Sequence, residues 1–176
     1  MHYTIKAIET EYQGHLFRSR LEATWAAFFD LCGWSWEYEP FELKGWVPDF
    51  ALFGDEMILV EVKPVFYLPE DVVKKISKAS DEGQALLICG LGINTFDWCD
   101  HCVGWLRDHL SGWSGAGLGK YNNRPGIFHC HGSWHDRISG IYDGNNGAES
   151  MNKNEAHSLW GQAKRKTRFE VKACRS

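Results

Sequence analysis

Two strand-length runs, residues 46–53 and 57–63, are separated only by Gly54-Asp55-Glu56. That spacing constrains the fold more than any other feature of the chain. The second run, Met-Ile-Leu-Val-Glu-Val-Lys, is rich in Ile, Leu and Val and is closed by Pro64. Pro48 lies near the start of the first run, where a missing N–H does least harm. A connection this short joins antiparallel strands. If the loop has three residues, Phe53 faces Met57, and counting back places Asp49 opposite Glu61. Residues two apart on a strand share a face, so Lys63 points with Glu61 while Val62 points away. A two-residue loop would instead set Asp49 opposite Val60 and turn it to the wrong face. The odd loop therefore decides whether the three charges meet.

The flanking segments suit an α/β sandwich. Residues 18–31 carry Leu21, Trp25, Phe28 and Cys32 at helical spacing, with Phe29 beside them. Ser19 is the expected N-cap, Glu22 its capping-box partner, and Gly33 the stop. Trp36-Glu37-Tyr38-Glu39 alternates as a short strand. A helix is predicted over 69–79, with acids in its first turn and Gly83 as its cap, and a buried strand over 85–89. Residues 149–170 return to helical spacing through Ala156, Leu159, Trp160 and Ala163. Between them, residues 90–147 show no clear period and read as loops, one or two strands and an irregular insertion containing Gly, His and Cys. At 176 residues the expectation is one domain, 1–176, with a central mixed sheet flanked by helices and the insertion at 90–147.

Two carboxylates facing each other across a hairpin repel unless a cation joins them. Mg²⁺ or Mn²⁺ takes oxygen ligands, typically one or two carboxylates with waters and a substrate phosphate. Asp49 and Glu61 are the candidate ligands, and the backbone carbonyl of Val62 is a third. Glu22 is a candidate for a second metal or a metal-bound water. Lys63 is placed to hold the attacking water and to offset charge on the phosphorus.

Glu22, Pro48-Asp49 and Glu61-Val62-Lys63 form the pattern Glu…Pro-Asp…Glu-x-Lys, which resembles the PD-(D/E)xK nuclease superfamily. The stretches Phe17-Arg18-Ser19-Arg20-Leu21-Glu22-Ala23 and Trp36-Glu37-Tyr38-Glu39-Pro40 look like phage and actinobacterial members. Ala163-Lys164-Arg165-Lys166-Thr167-Arg168-Phe169-Glu170 is similar to the end of their last helix. The resemblance covers residues 12–90 well and the last helix loosely; it does not cover 90–147. It implies a restriction-endonuclease-like core and a Mg²⁺-dependent endonuclease hydrolysing DNA phosphodiester bonds, with Glu22, Asp49, Glu61 and Lys63 catalytic. It does not fix the DNA structure cut, nor separate DNA from RNA. Members include phage Holliday-junction resolvases, restriction enzymes and repair nucleases, and a junction- or structure-specific recombination nuclease is the preferred subclass. A phage or prophage gene in a bacterial host is the matching source, and a homodimer follows if both strands are cut.

Other features bear on partners. The formal net charge is −4, so the sum shows no basic footprint for nucleic acid. The charges are segregated, however: acids crowd 37–61, while Lys164, Arg165, Lys166 and Arg168 crowd the C-terminal segment. These four, with Arg18 and Arg20, are the candidate nucleic-acid contacts. Cys99-Asp100-His101-Cys102 is a Cys-x-x-Cys pair, and His129, Cys130, His131 and His135 follow. Cys99, Cys102, Cys130 and His135 make a candidate Zn²⁺ set. No apolar run is long enough to span a bilayer, and residues 1–11 do not read as a signal peptide. The cysteines are therefore read as reduced, in a cytoplasmic protein. A competing function is a non-catalytic nucleic-acid- or protein-binding module on the same fold, zinc-stapled and countering host defence.

Overall fold

The computed structural model describes residues 7–81, 84–108, 112–130, 135–142 and 147–169. A hairpin of β1 (Thr10–Tyr12) and β2 (His15–Phe17) precedes α1 (Arg20–Cys32). Strands β3 (Ser35–Tyr38), β4 (Phe50–Phe53) and β5 (Met57–Val62) follow, then α2 (Glu70–Ala79). Four further strands, β6 (Ala85–Phe96), β7 (Cys99–Asp108), β8 (Gly112–Tyr121) and β9 (Arg124–His129), lead to β10 (Ala148–Ser150) and α3 (Lys153–Phe169). Strands β3 to β10 form one mixed sheet in the order β10-β8-β7-β6-β5-β4-β3, with β9 also on β8. Among the described residues only β5 and β6 pair in parallel; the remaining ladders of this sheet are antiparallel. Among the described residues no helix is long and apolar enough to cross a membrane.

Local chemistry sets the helix ends. The Ser19 hydroxyl accepts the Glu22 N–H at 3.2 Å. Gly33 takes the left-handed conformation at φ 72°, and the Trp34 N–H returns to the Phe29 carbonyl at 2.9 Å, a Schellman-type stop. α2 ends at Ser80, and the expected cap Gly83 lies outside the described residues. α3 starts later than the sequence suggests. The Asn152 side chain accepts the Asn154 N–H at 2.8 Å and starts the helix at Lys153, so Glu149 belongs to β10.

Strand alternation divides the core into two layers. Phe50, Leu52, Ile58, Val60, Leu87 and Cys89 pack with Trp25, Phe28, Phe29 and Trp160 from α1 and α3. Ala51, Leu59, Leu86 and Ile88 pack on the other face with Ile76 and Ala79 of α2. Each buried aromatic removes on the order of 150–250 Å² from water, and this layer is the main source of cohesion. By the same alternation Glu61 and Lys63 continue the Leu59 row, on the α2 side.

Two expectations are corrected. The first strand of the central hairpin is shorter than 46–53, because Trp46 pairs backbone to backbone with Leu43 across a tight turn at Lys44-Gly45. Pro48 has no N–H for a ladder, and β4 begins beyond it. Among the described residues, the stretch from 90 to 129 is more regular than expected: β6 runs through Phe96, and β7, β8 and β9 extend the same sheet. Their period is hidden by glycine and by register shifts between Cys89 and Phe96 and between Cys102 and Gly104. At Gly92 the Trp160 indole of α3 lies against the backbone, where a Cβ would meet Trp160 Nε1 at 2.5 Å.

Gly104 marks the tightest of these places. Its φ is +154°, and a Cβ there would sit 1.8 Å from the Ile88 carbonyl oxygen. Gly104→Ala should therefore cost about 3 kcal/mol or more, the upper range for overpacking. Gly112→Ala places a residue at φ +62° with nothing within 4 Å and should cost only about 1–2 kcal/mol. Urea unfolding of the two variants checks the ranking. Equal losses would show that β6–β7 contact does not require the glycine.

Candidate active site

The register of β4 and β5 brings the acids together. Phe53 pairs with Met57, Leu52 with Ile58, Ala51 with Leu59 and Phe50 with Val60, so the loop is odd. Asp49 lies one residue before β4, level with Glu61. The Val62 N–H donates to Asp49 Oδ2 at 2.7 Å. Asp49 and Glu61 are buried, with 4 % and 6 % exposure.

Each carboxylate oxygen has a partner. Arg18 Nη2 contacts Asp49 Oδ1 at 2.6 Å, and its Nε contacts Glu39 at 3.0 Å. Lys63 Nζ contacts Glu61 Oε1 at 2.6 Å, and the Trp46 indole N–H donates to Glu61 Oε2 at 2.7 Å. Glu22, on the first turn of α1, accepts from Ser19 Oγ at 2.8 Å and from Tyr38 OH at 2.7 Å. Burial raises the Tyr38 hydroxyl to about 12, assisted by its bond to Glu22.

Arg18, Glu22, Asp49, Glu61 and Lys63 line one cleft of about 460 Å³, which Lys75 of α2 also lines. Burial, and then the nearby Glu61 charge, push the Asp49 carboxyl up to about 7, against the pull of the Val62 N–H. Arg18 is held above its ordinary value. Burial works against its cation, but Tyr38, Asp49 and Glu39 outweigh it. The chemistry available is that of two buried, mutually repelling carboxylates with an ammonium on one of them. They are hard oxygen donors that suit a divalent cation, provided the half-exposed Arg18 side chain moves off Asp49.

The predicted nucleic-acid contacts divide. Arg20, Lys164 and Arg168 line one surface groove with Thr24 and Trp160, where α1 meets α3. Arg20 also borders a recess shared with Glu22 and Lys63, so this basic edge is continuous with the acidic cleft. Arg165 and Lys166 are exposed on α3 and do not line that groove. Arg18 is committed to Asp49 and Glu39. Lys75 was missed because nothing in the spacing of α2 separates it from Lys74 and Lys78. Trp46 was legible in principle, since a buried indole N–H needs an acceptor.

The candidate zinc set is partly assembled. Cys99, Cys102 and Cys130 have their sulfur atoms within 4.8 Å of one another, and His135 is not in the group. His135 is held elsewhere: it pairs with Tyr142 in a backbone bridge, and its ring stacks on Tyr142 at 4.0 Å. His129 directs Nδ1 to the Ser114 hydroxyl. His131 lies outside the described residues. Comparison with protein-family models, with curated proteins and with solved structures returned no match.

The Asp49 shift has a measurable sign. A carboxyl whose folded value lies above its ordinary 3.8 binds more protons folded than unfolded between those values. Its contribution to stability is therefore greatest at low pH and falls as pH rises from about 4 through about 7. NMR titration of the Asp49 side-chain carbon, without added divalent metal, should give a midpoint near 7. In Glu61→Gln the midpoint should drop toward the ordinary range. An unchanged midpoint in that variant would remove Glu61 as a cause.

Proposed function

We propose that this chain is a metal-dependent endonuclease acting on DNA. The observation that carries the proposal is the placement of Asp49, Glu61 and Lys63 in one buried cleft whose rim continues into Arg20, Lys164 and Arg168. Burying two like charges side by side is costly, and a stability role alone gives no reason to keep them.

Asp49 and Glu61 are the residues that would hold Mg²⁺ or Mn²⁺, which supplies Lewis-acid activation of the phosphate and of water. Lys63, fixed against Glu61, is positioned to orient the attacking water and offset charge that builds on the phosphate oxygens. Asp49 must be deprotonated to act, which burial and Glu61 resist at low pH. Glu22, braced by Ser19 and Tyr38, adds negative charge beside the pair. Lys75 and Arg18 are the cations at the cleft mouth for the scissile phosphate. Arg20, Lys164 and Arg168 are placed to hold the backbone alongside, by contacts that carry no sequence information. A recombination-type or junction-cutting nuclease is the preferred subclass.

A specific observation favours a second reading, a binding module without catalysis. Arg18 and Lys63 already neutralise Asp49 and Glu61, so the cleft is balanced without an added ion.

The decisive experiment is single-turnover cleavage of branched, single-stranded and linear duplex DNA with Mg²⁺, Mn²⁺ or neither. Lys63→Ala should lower the rate by about 10²–10³, the usual loss for one electrostatic donor. Asp49→Ala should lower it further, since it removes the cation site itself. Wild-type rates in both variants, or no cleavage by the wild type with any metal, would overturn the enzyme assignment.

Arg18→Ala separates the two readings. In an enzyme it frees Asp49 and should tighten Mn²⁺ binding several-fold by calorimetry. In a binding module neither chain takes up Mn²⁺, while Arg18→Ala weakens DNA binding and reduces its salt dependence by about one phosphate contact.

A further inference from the structure

Three cysteines outside the carboxylate cleft converge from separate strands. Cys99 and Cys102 lie on β7, and Cys130 immediately follows β9. Their sulfur atoms all lie within 4.8 Å of one another, and among the described residues no other set of three His, Cys, Asp or Glu donors is so close. Cys102 is fully buried and Cys99 nearly so. Cys32 and Cys89, by contrast, are packed in the apolar core.

The strand between them is stripped to make room. Gly117 of β8 pairs with Cys102 on one side and Phe128 on the other. A Cβ at Gly117 would stand 3.0 Å from Cys130 Sγ and 3.3 Å from Cys99 Sγ. A Cβ there would require the sulfurs to give way by a few tenths of an ångström. Cys99, Cys130 and His101 also line a cavity of about 270 Å³. In it, His101 Nε2 meets Ser150 Oγ at 3.0 Å, while its buried Nδ1 has no hydrogen-bond partner.

Three thiols at this spacing have two ways to be satisfied. A disulfide joins two sulfurs and leaves the third buried beside them; all three are free thiols here. A tetrahedral Zn²⁺ site with bonds of about 2.3 Å sets its sulfurs about 3.8 Å apart, a spacing compatible with three sulfurs that all lie within 4.8 Å of one another.

We propose that Cys99, Cys102 and Cys130 bind one Zn²⁺ ion as thiolates, with its fourth position facing the cavity beside His101. The ion ties the β6–β7 turn to the end of β9. It is a structural staple for strands too rich in glycine to hold one another by side-chain packing.

The test is elemental analysis of protein purified under reducing conditions without chelator. The wild type should carry one zinc per chain. Cys99→Ser, Cys102→Ser and Cys130→Ser should each lose it, while Cys32→Ala and Cys89→Ala should keep it. Because a Ser variant can fail to fold, a second measurement uses the wild type. After zinc is stripped, added Co²⁺ should give thiolate charge-transfer absorption and strong tetrahedral d–d bands, both abolished by one equivalent of Zn²⁺. The stripped chain should melt several degrees lower than the zinc-loaded one. Zinc-free wild type with no Co²⁺ spectrum, zinc retained by Cys130→Ser, or a disulfide between two of the three cysteines in the purified protein would overturn the proposal. None of these readouts involves nucleic acid, so they hold whether or not the carboxylate cleft cuts DNA.

Discussion

The hydrogen bond from the Val62 amide to Asp49 Oδ2, 2.7 Å long, can form only while β4 and β5 pair with Phe53 opposite Met57. A slip of one residue would turn Asp49 into the α1 layer and separate it from Glu61. The register is clamped from outside the hairpin. The Asp55 N–H donates to the Ile138 carbonyl at 2.8 Å, and Arg137 holds Glu56 at 3.2 Å. That loop is itself fixed by buried Asp136, which accepts the Ile127 and Ile138 amides at 3.1 and 2.9 Å. Residues remote in sequence from the carboxylates therefore decide which way the carboxylates face.

Charge is handled locally. The overall balance of −4 says little about the cleft, where Asp49 and Glu61 each have a cation at 2.6 Å. The two cations differ. Lys63 immediately follows β5, the strand that carries its acid, and its N–H is tied to the Cys89 carbonyl at 2.9 Å. Arg18 precedes α1 and is more than half exposed, so water can solvate it once it leaves, and the main cost of its leaving is the uncompensated Asp49 carboxylate. A cleft with one fixed and one removable counter-charge can exchange the removable one for another cation. Rigid neutralisation on both sides would not permit that.

The parts of the fold visible in the sequence are those in which one residue type dictates one conformation. Ser19 and Gly33 bound α1, and Gly54-Asp55-Glu56 sets the hairpin, because caps and short turns are local. Residues 90–147 were illegible for the opposite reason. In β6 to β8 the glycines carry no side chain to alternate, and the register shifts break period two where it does exist. Their burial comes from neighbouring strands and from Trp160, which no local window contains. The cysteine cluster was half visible. Cys-x-x-Cys flagged β7, and Cys130 joined it, but spacing could not tell that His135 would stack on Tyr142 instead. Lys75 had no signal, since its relevance arises only from the place where α2 crosses the sheet.

Strand β6 connects the two clusters. In parallel with β5 it pairs Ile88 with Glu61 and Cys89 with Val62, and the Cys89 carbonyl accepts the Lys63 N–H at 2.9 Å. On its other edge it pairs with β7, where Asn94 stands opposite Cys102. The segment that positions the Lys63 backbone is thus held from behind by the strand that carries two of the three thiols. Detaching β7 from β6 would free one edge of β6 and, through it, the end of β5. The backbone of β6 is thus shared by the pairings beside both clusters, with Lys63 and Glu61 on one edge and Cys102 on the other.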